Sequence, residues 1–319
     1  MKHLSRRNLM LGAAVVATMA ATGMAQAQEG KRIGFMIWNT SVPFYSNLIK
    51  TANETAQKQG IKLDIQSGNG DLSAQISVVQ QFIAQQVDMI MIAPSDPKGI
   101  VPIIRQANAA NIPVMAVNTS ADVSTGAKIV TYVGVDDFVF GQRQGELVVK
   151  AVGEKAKIAY ILGKLGTSAQ LAREAGLMDT LKKYPGIEIV EKQAADWDNS
   201  KALAITQDYL SKYQPGSIAA IVDQGPEGVN GANFANENGR TDVKFILGDY
   251  PADVRNAIIK GTVYGTVNQD PAPQGSTAIE DAALVFSGKA DQVPTPNHYL
   301  DLPAITKDNV EQYKAAWGG

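Results

Sequence analysis

The chain has 319 residues, 45% hydrophobic and 19% charged, with 29 Lys and Arg against 31 Asp and Glu, two His and no Cys. A mildly acidic balance argues against nucleic acid or an anionic membrane surface as a partner. The absence of Cys excludes disulfides, thiol catalysis and thiolate metal sites.

The first segment reads as an export signal. Lys2, Arg6 and Arg7 precede an uncharged apolar stretch over residues 9–21, and Ala25-Gln26-Ala27 fits small-residue cleavage. Residues 1–27 are therefore expected to be removed in the periplasm, and the adjacent arginines resemble a twin-arginine signal. Without Lys2, Arg6 and Arg7, 26 basic residues face 31 acids, a net charge of −5. The length of the remainder predicts two domains.

Along the mature chain, strand and helix patterns alternate. Near-continuous apolar runs at 33–38, 61–66, 88–93, 113–117 and 131–135 read as strands covered on both faces. A second set follows at 157–162, 187–193, 218–222, 243–247 and 262–268. Helical periodicity fills the gaps, starting at Phe44 and continuing at 74–86, 100–110, 141–151, 169–183, 201–212 and 272–287. Alternation predicts parallel sheets with right-handed crossovers. Ten strands exceed a comfortable single sheet. The expected fold is therefore α/β, with two similar doubly wound parallel-sheet lobes facing each other across a cleft and a break near Gly134.

Catalytic chemistry finds little support. His3 lies in the signal, so His298 is the one histidine of the mature chain, and it reads as a solvated loop residue. Ser–His–Asp and His-rich metal sites are excluded. The glycines at Gly68-Asn69-Gly70 and Gly163-Lys164-Leu165-Gly166 lack phosphate-loop spacing. The acid pairs Asp136-Asp137 and Asp196-Trp197-Asp198 precede helices and read as caps. No enzyme activity and no cofactor or metal is expected.

The C-terminal ends of the strands carry a different inventory. Trp38, Asn39, Ser41, Phe44 and Tyr45 follow the first strand, and Pro43 sets the entry to the next helix. Asn118 and Thr119 follow the fourth, Arg173 sits in the helix after the sixth, and Asp223 and Gln224 follow the eighth. Asp249 and Tyr250 follow the ninth, and Asn268, Gln269 and Asp270 follow the tenth. Open α/β sheets bind ligands at these ends. Aromatic faces with planar amide, carboxylate and guanidinium groups suit a neutral polyhydroxyl molecule, whose hydroxyls donate and accept at once.

Five stretches, "IGFMIWNTSVPFYSNLIKTANETAQKQG", "DMIMIAPSDPKGIVPIIRQANAANIPVMAVNT", "GTSAQLAREAGLMDTL", "FILGDYPADVRNAI" and "GTVYGTVNQDPAPQGSTAIEDA", carry a resemblance over essentially the whole mature chain. The sequence resembles the ribose-binding group of periplasmic solute-binding proteins of ABC importers, the periplasmic-binding-protein type I family related in fold to the ligand domains of LacI-type repressors. The resemblance implies two lobes joined by a three-strand hinge and one sugar in the cleft. It divides the chain into a first lobe of 28–134 plus 269–299 and a second of 135–268 plus 300–319. It places stacking aromatics on Phe44 and Tyr45, the second-lobe arginine on Arg173, the aspartate on Asp249 and the hinge glutamine on Gln269. Trp38 stands where the family usually has a small polar residue.

Departures shape the expected ligand. The family's Asp-Arg pair after the fourth strand is Asn118-Thr119, Ser41 and Val42 replace an asparagine of the first turn, and an Asn-Asp pair near the eighth strand is Gly225-Pro226. A charged pair is lost and an indole gained, so a monosaccharide other than ribose, or an acyclic polyol lying along Trp38, is expected. The implied role is capture of that small sugar or polyol by a monomer and delivery to an ABC permease, with no nucleic acid involved. A sensor subunit presenting the same ligand to a chemoreceptor or histidine kinase is the alternative.

Overall fold

The computed structural model describes residues 30–318; the export-signal reading lies outside the described residues. Two six-stranded sheets form two lobes. The first sheet contains β1 (Arg32–Ile37), β2 (Lys62–Ser67), β3 (Met89–Ile92), β4 (Val114–Val117), β5 (Tyr132–Gly134) and β11 (Asn297–Tyr299). The second contains β6 (Lys155–Leu162), β7 (Gly186–Ala194), β8 (Ala220–Asp223), β9 (Lys244–Gly248), β10 (Gly265–Val267) and β12 (Ala304–Thr306).

Strand orders are β2-β1-β3-β4-β5-β11 and β7-β6-β8-β9-β10-β12, so the two lobes repeat one topology. All pairings are parallel except β12, which runs antiparallel to β10. The central strands are short and wholly apolar: every residue of Met89–Ile92 and Val114–Val117 is buried. That composition follows from helices covering both faces, and each sheet has a hydrophobic cluster on either side. In each sheet the chain reverses direction of winding beside the first strand, which opens a crevice at the strand C-termini.

The ten apolar runs all become strands, with β5 and β10 shortened to three residues each. The pattern did not single out β11 and β12, which are also three residues long and close the sheets after the long connection. His298 lies in β11 rather than in a loop, and its Nδ1 is 2.8 Å from Oδ2 of the buried Asp281. The nine helices of eight residues or more among the described residues alternate with the strands. Among the described residues none is long and apolar enough to cross a membrane.

The chain passes between the sheets three times, and the crossings are bonded to one another. Leu300 N–H donates to Gly134 C=O at 2.8 Å, and Asn268 N–H to Pro303 C=O at 2.9 Å. The tail after β12 touches both lobes. Ala316 N–H donates to Tyr250 C=O in the second, while its carbonyl accepts from Asn47 Nδ2 in the first, both at 2.8 Å.

Candidate functional site

The first wall grows from the turn after β1. Asn39 Oδ1 accepts from Ser41 N–H at 2.9 Å and shapes the turn, and Pro43 opens α1 (Pro43–Lys58). That geometry turns Trp38, Phe44 and Tyr45 inward, each less than one-tenth exposed. The Tyr45 hydroxyl donates to Asn118 Oδ1 at 2.7 Å. Asn118 has φ 66°, left-handed backbone that asparagine tolerates better than most side chains. Its amide donates to Gln274 Oε1 at 3.2 Å, and Gln269 lies beside it.

The second wall begins with α4 (Asp137–Val152) and α5 (Ser168–Leu181). Thr167 caps α5, its hydroxyl accepting from Gln170 N–H at 3.3 Å. This fixes Arg173 in the second turn, 3% exposed. Arg173 Nε donates to Asp137 Oδ1 at 2.8 Å and Nη1 to Gln224 C=O at 2.7 Å. The guanidinium lies 3.7 Å from the Phe140 ring centroid and 5.6 Å from that of Trp197. Burial pulls Arg173 down, but Asp137 and Asp249 outweigh it and hold the group above its ordinary value, so it stays charged.

Each acid pair read as capping divides between two roles. Asp136 caps α4 and Asp198 caps α6 (Asn199–Lys212), whereas Asp137 is the buried partner of Arg173 and Asp196 pairs with Lys201 at 2.7 Å. Between Asp196 and Asp198, Trp197 adopts φ 62°, an outlier for a bulky residue and the kind of strain that clusters at binding sites. Its ring lies over Gly163, where any side chain would overlap it. The glycine that gave 163–168 a phosphate-loop look makes room for an indole.

Asp249 completes the wall. It does not cap α8 (Ala252–Lys260), whose start has no side-chain cap. Instead its backbone is pinned at φ 60°, the N–H donating to Val267 C=O at 2.8 Å and the carbonyl accepting from Thr266 Oγ1. The carboxyl is turned into the cleft, and burial pushes it up to about 6 against the pull of Arg173. Among the described residues, Asp249 Oδ1 and Trp38 Nε1 are both buried without a partner. Such groups are costly unless something bonds to them.

These residues enclose a chamber of ≈ 60 Å³ between the lobes. Of the nine residues expected from sequence, Trp38, Phe44, Tyr45, Asn118, Arg173, Asp249 and Gln269 line it. Asp223 and Gln224 stand one layer behind. The Gln224 amide is spent on Gly163 N–H, Tyr160 OH and Gln170 C=O, and Asp223 Oδ1 accepts from Gly225 N–H. Trp197, Thr167 and Glu227 line the chamber and were not selected from sequence. The aromatic between two acids was the available signal for Trp197. An adjoining outer hollow of ≈ 300 Å³ is bordered by Trp197, Glu227, Asp249 and Trp317. A hollow of ≈ 340 Å³ on the second lobe lies at the N-terminal ends of β9 and β10, opposite the cleft, and its Arg240 is already bonded to Asp242 and to the Leu210 and Tyr213 carbonyls.

Comparison with known proteins agrees with this architecture. A xylitol-binding protein of Mycolicibacterium smegmatis is 29% identical over 287 residues, covering 90% of this chain and 80% of the relative. A ribose import binding protein of Bacillus subtilis is 30% identical over 260 residues, covering 82% and 83%. The solved structure of an ABC transporter solute-binding protein from Mycobacterium smegmatis with bound glycerol superposes with a TM-score of 0.80 at 30% identity, covering 88% and 96%. The periplasmic binding protein domain family matches residues 33–290. With two lobes of one topology and a lined cleft between them, this chain belongs to the periplasmic binding protein family, a family of binding proteins rather than enzymes.

Proposed function

We propose that the protein captures one small neutral polyhydroxyl molecule, an acyclic polyol or a monosaccharide other than ribose, in the inter-lobe chamber. The observation that carries this reading is a chamber lined by four aromatic side chains, Trp38, Phe44, Tyr45 and Trp197, together with Asp249, whose buried Oδ1 has no partner among the described residues. Aromatic faces cover C–H surfaces, and an unspent carboxylate acceptor suits a hydroxyl. The relatives' xylitol, ribose and glycerol belong to this chemical class. Trp38 takes the space of a small residue at the first turn, which favours a chain that lies flat along an indole.

On this reading the lobes close about the three crossings near 134–136, 268–270 and 300–303, and the loaded monomer hands its ligand to an ABC permease in the inner membrane after export and cleavage near Ala27. A thermal-shift screen of aldoses, ketoses and polyols, followed by calorimetry, tests it. A ligand at 100 times its Kd should stabilise the protein by about 2.7 kcal/mol. One molecule should bind per chain without added metal or nucleotide. Binding that requires a nucleotide or a metal, with none to any carbohydrate, would overturn the reading.

A further inference from the structure

Glu227 lies in the turn between β8 and α7 (Val229–Glu237) and is 7% exposed. Its carboxyl sits over the Cα of Gly225, so that a methyl group at 225 would overlap Glu227 Oε2 and press on the Trp197 ring. The carboxyl therefore fills the place of a side chain at 225, at the border of the chamber and the outer hollow. No ion pair forms with it among the described residues: Arg173 spends Nε on Asp137 and Nη1 on a carbonyl.

The other groups around Glu227 are mostly acids. Asp223 ends β8, Asp249 follows β9, Asp253 opens α8 at the outer hollow, and Tyr45 of α1 lines the same chamber with its hydroxyl bonded to Asn118. On the Trp197 side, Asp196 is matched by Lys164 and Lys201. Asp137, Asp223, Glu227 and Asp249 are each at least nine-tenths buried, and Arg173, already bonded to Asp137, is also the cation acting on Glu227 and Asp249. An uncompensated buried carboxylate takes up a proton rather than remain charged.

Resting on the sugar or polyol reading above, we propose that Glu227 is a ligand-contacting residue that meets the ligand as a neutral carboxylic acid, donating its proton to one ligand hydroxyl oxygen while Asp249 accepts from a neighbouring hydroxyl. The chamber then offers a donor and an acceptor from the second lobe, matching the hydroxyl's double character. Burial, reinforced by Asp223 and Asp249, pushes the Glu227 carboxyl well above the usual range, in the direction the geometry requires.

The test is calorimetry of wild type, Glu227→Gln and Glu227→Ala with the tightest binder from a panel of pentitols, hexitols and aldoses, at pH 7 and pH 9.5. Gln keeps a donor, so Glu227→Gln should bind within about threefold of wild type at pH 7, and Glu227→Ala about tenfold or more weakly. Ionisation of Glu227 removes the donor from wild type alone, so wild type should weaken with rising pH more steeply than Glu227→Gln. Asp249 titrates in both proteins, whereas Asp223 interacts with Glu227 and releases its proton more readily in Glu227→Gln, so the comparison is repeated on an Asp223→Asn background, where that difference is absent. Gly225→Ala displaces the carboxyl without deleting it and should weaken binding like Glu227→Ala, with circular dichroism confirming both fold. Unchanged affinity in Glu227→Ala overturns the contact. Glu227→Gln as weak as Glu227→Ala, or wild type that tightens with pH and prefers an amino sugar, overturns the neutral acid. Wild type that binds no member overturns the proposed function and this proposal together.

Discussion

The first lobe presents Trp38, Phe44, Tyr45 and Asn118 to the chamber and no formal charge, whereas the second presents Arg173, Trp197, Glu227 and Asp249. Both walls come from the same positions in one repeated topology. The turn after β1 is an aromatic loop held by Pro43, and the equivalent turn after β6 is a capped glycine turn that delivers Arg173. The fold decides where side chains converge and leaves their chemistry free. The division also suggests how the work is shared: one wall supplies apolar contact and the other supplies directional, charge-assisted bonds.

If that division is right, the largest losses come from the second wall. Hydrogen bonds to charged groups contribute roughly 1.5–3 kcal/mol each, so Asp249→Ala should weaken binding on the order of 100-fold. Arg173→Ala should lose at least as much affinity and also destabilise the fold, because Asp137 would be left buried and unpaired, a cost of about 3–5 kcal/mol. Calorimetry and chemical denaturation separate the two effects. Normal affinity in Asp249→Ala would dissolve the contrast between the walls.

Stability against pH sharpens the same contrast, since the surplus of acids lies in the second lobe. Burial pushes Asp249 up to about 6 and Asp223 up to about 8. Both folded values lie above the unfolded one, so the folded state holds protons that the unfolded state has released. Their contribution is full below the unfolded carboxylate pKa and is lost as pH rises through about 6 for Asp249 and about 8 for Asp223. The melting temperature of the ligand-free protein should fall from pH 5 to pH 8. Asp223→Asn keeps an acceptor for Gly225 N–H and should flatten the slope; an unchanged slope would show that Asp223 is ionised throughout.

Much of this was legible before the structure. The apolar runs of β3 and β4 announce strands covered on both faces, and the turn from Trp38 to Tyr45 declares itself by placing aromatics where a loop is usually polar. Asp223 and Gln224 show the limit. A residue at a strand end can point into the cleft or back beneath it, and the Gln224 amide is consumed by three partners that are distant in sequence. Trp197 was hidden because its two flanking acids looked like caps, and Asp198 is one. Glu227 gave no periodic signal, because its place over Gly225 depends on a turn conformation.

Smaller effects belong to the first wall. Losing one aromatic face removes about 50 Å² of apolar contact, or about 1.3 kcal/mol, close to tenfold in affinity. Phe44→Ala should lie near that value. Trp38→Ala should cost more, since an indole is a larger surface than a phenyl ring, and it should reorder preference among aldoses and polyols. Equal losses across every ligand in the panel would leave Trp38 with a packing role only.

The smallest effect concerns the tail that joins the walls. Ala252 N–H donates to Trp317 C=O at 2.9 Å, tying the tail to the second lobe, while the Trp317 ring meets Phe44 of the first edge-on, with centroids 5.5 Å apart. Trp317 lines the outer hollow and does not line the chamber. An aromatic pair contributes about 0.5–1.5 kcal/mol beyond area burial, which corresponds to about two- to tenfold in affinity. If the contact forms as the lobes close, Trp317→Ala should speed ligand release by that factor and leave the association rate unchanged, because the encounter precedes closure. Stopped-flow fluorescence on wild type and Trp317→Ala measures both rates. A slower association with unaltered release would mean that Trp317 guides entry through the outer hollow, and equal rates would mean that the tail holds Phe44 alike in open and closed states.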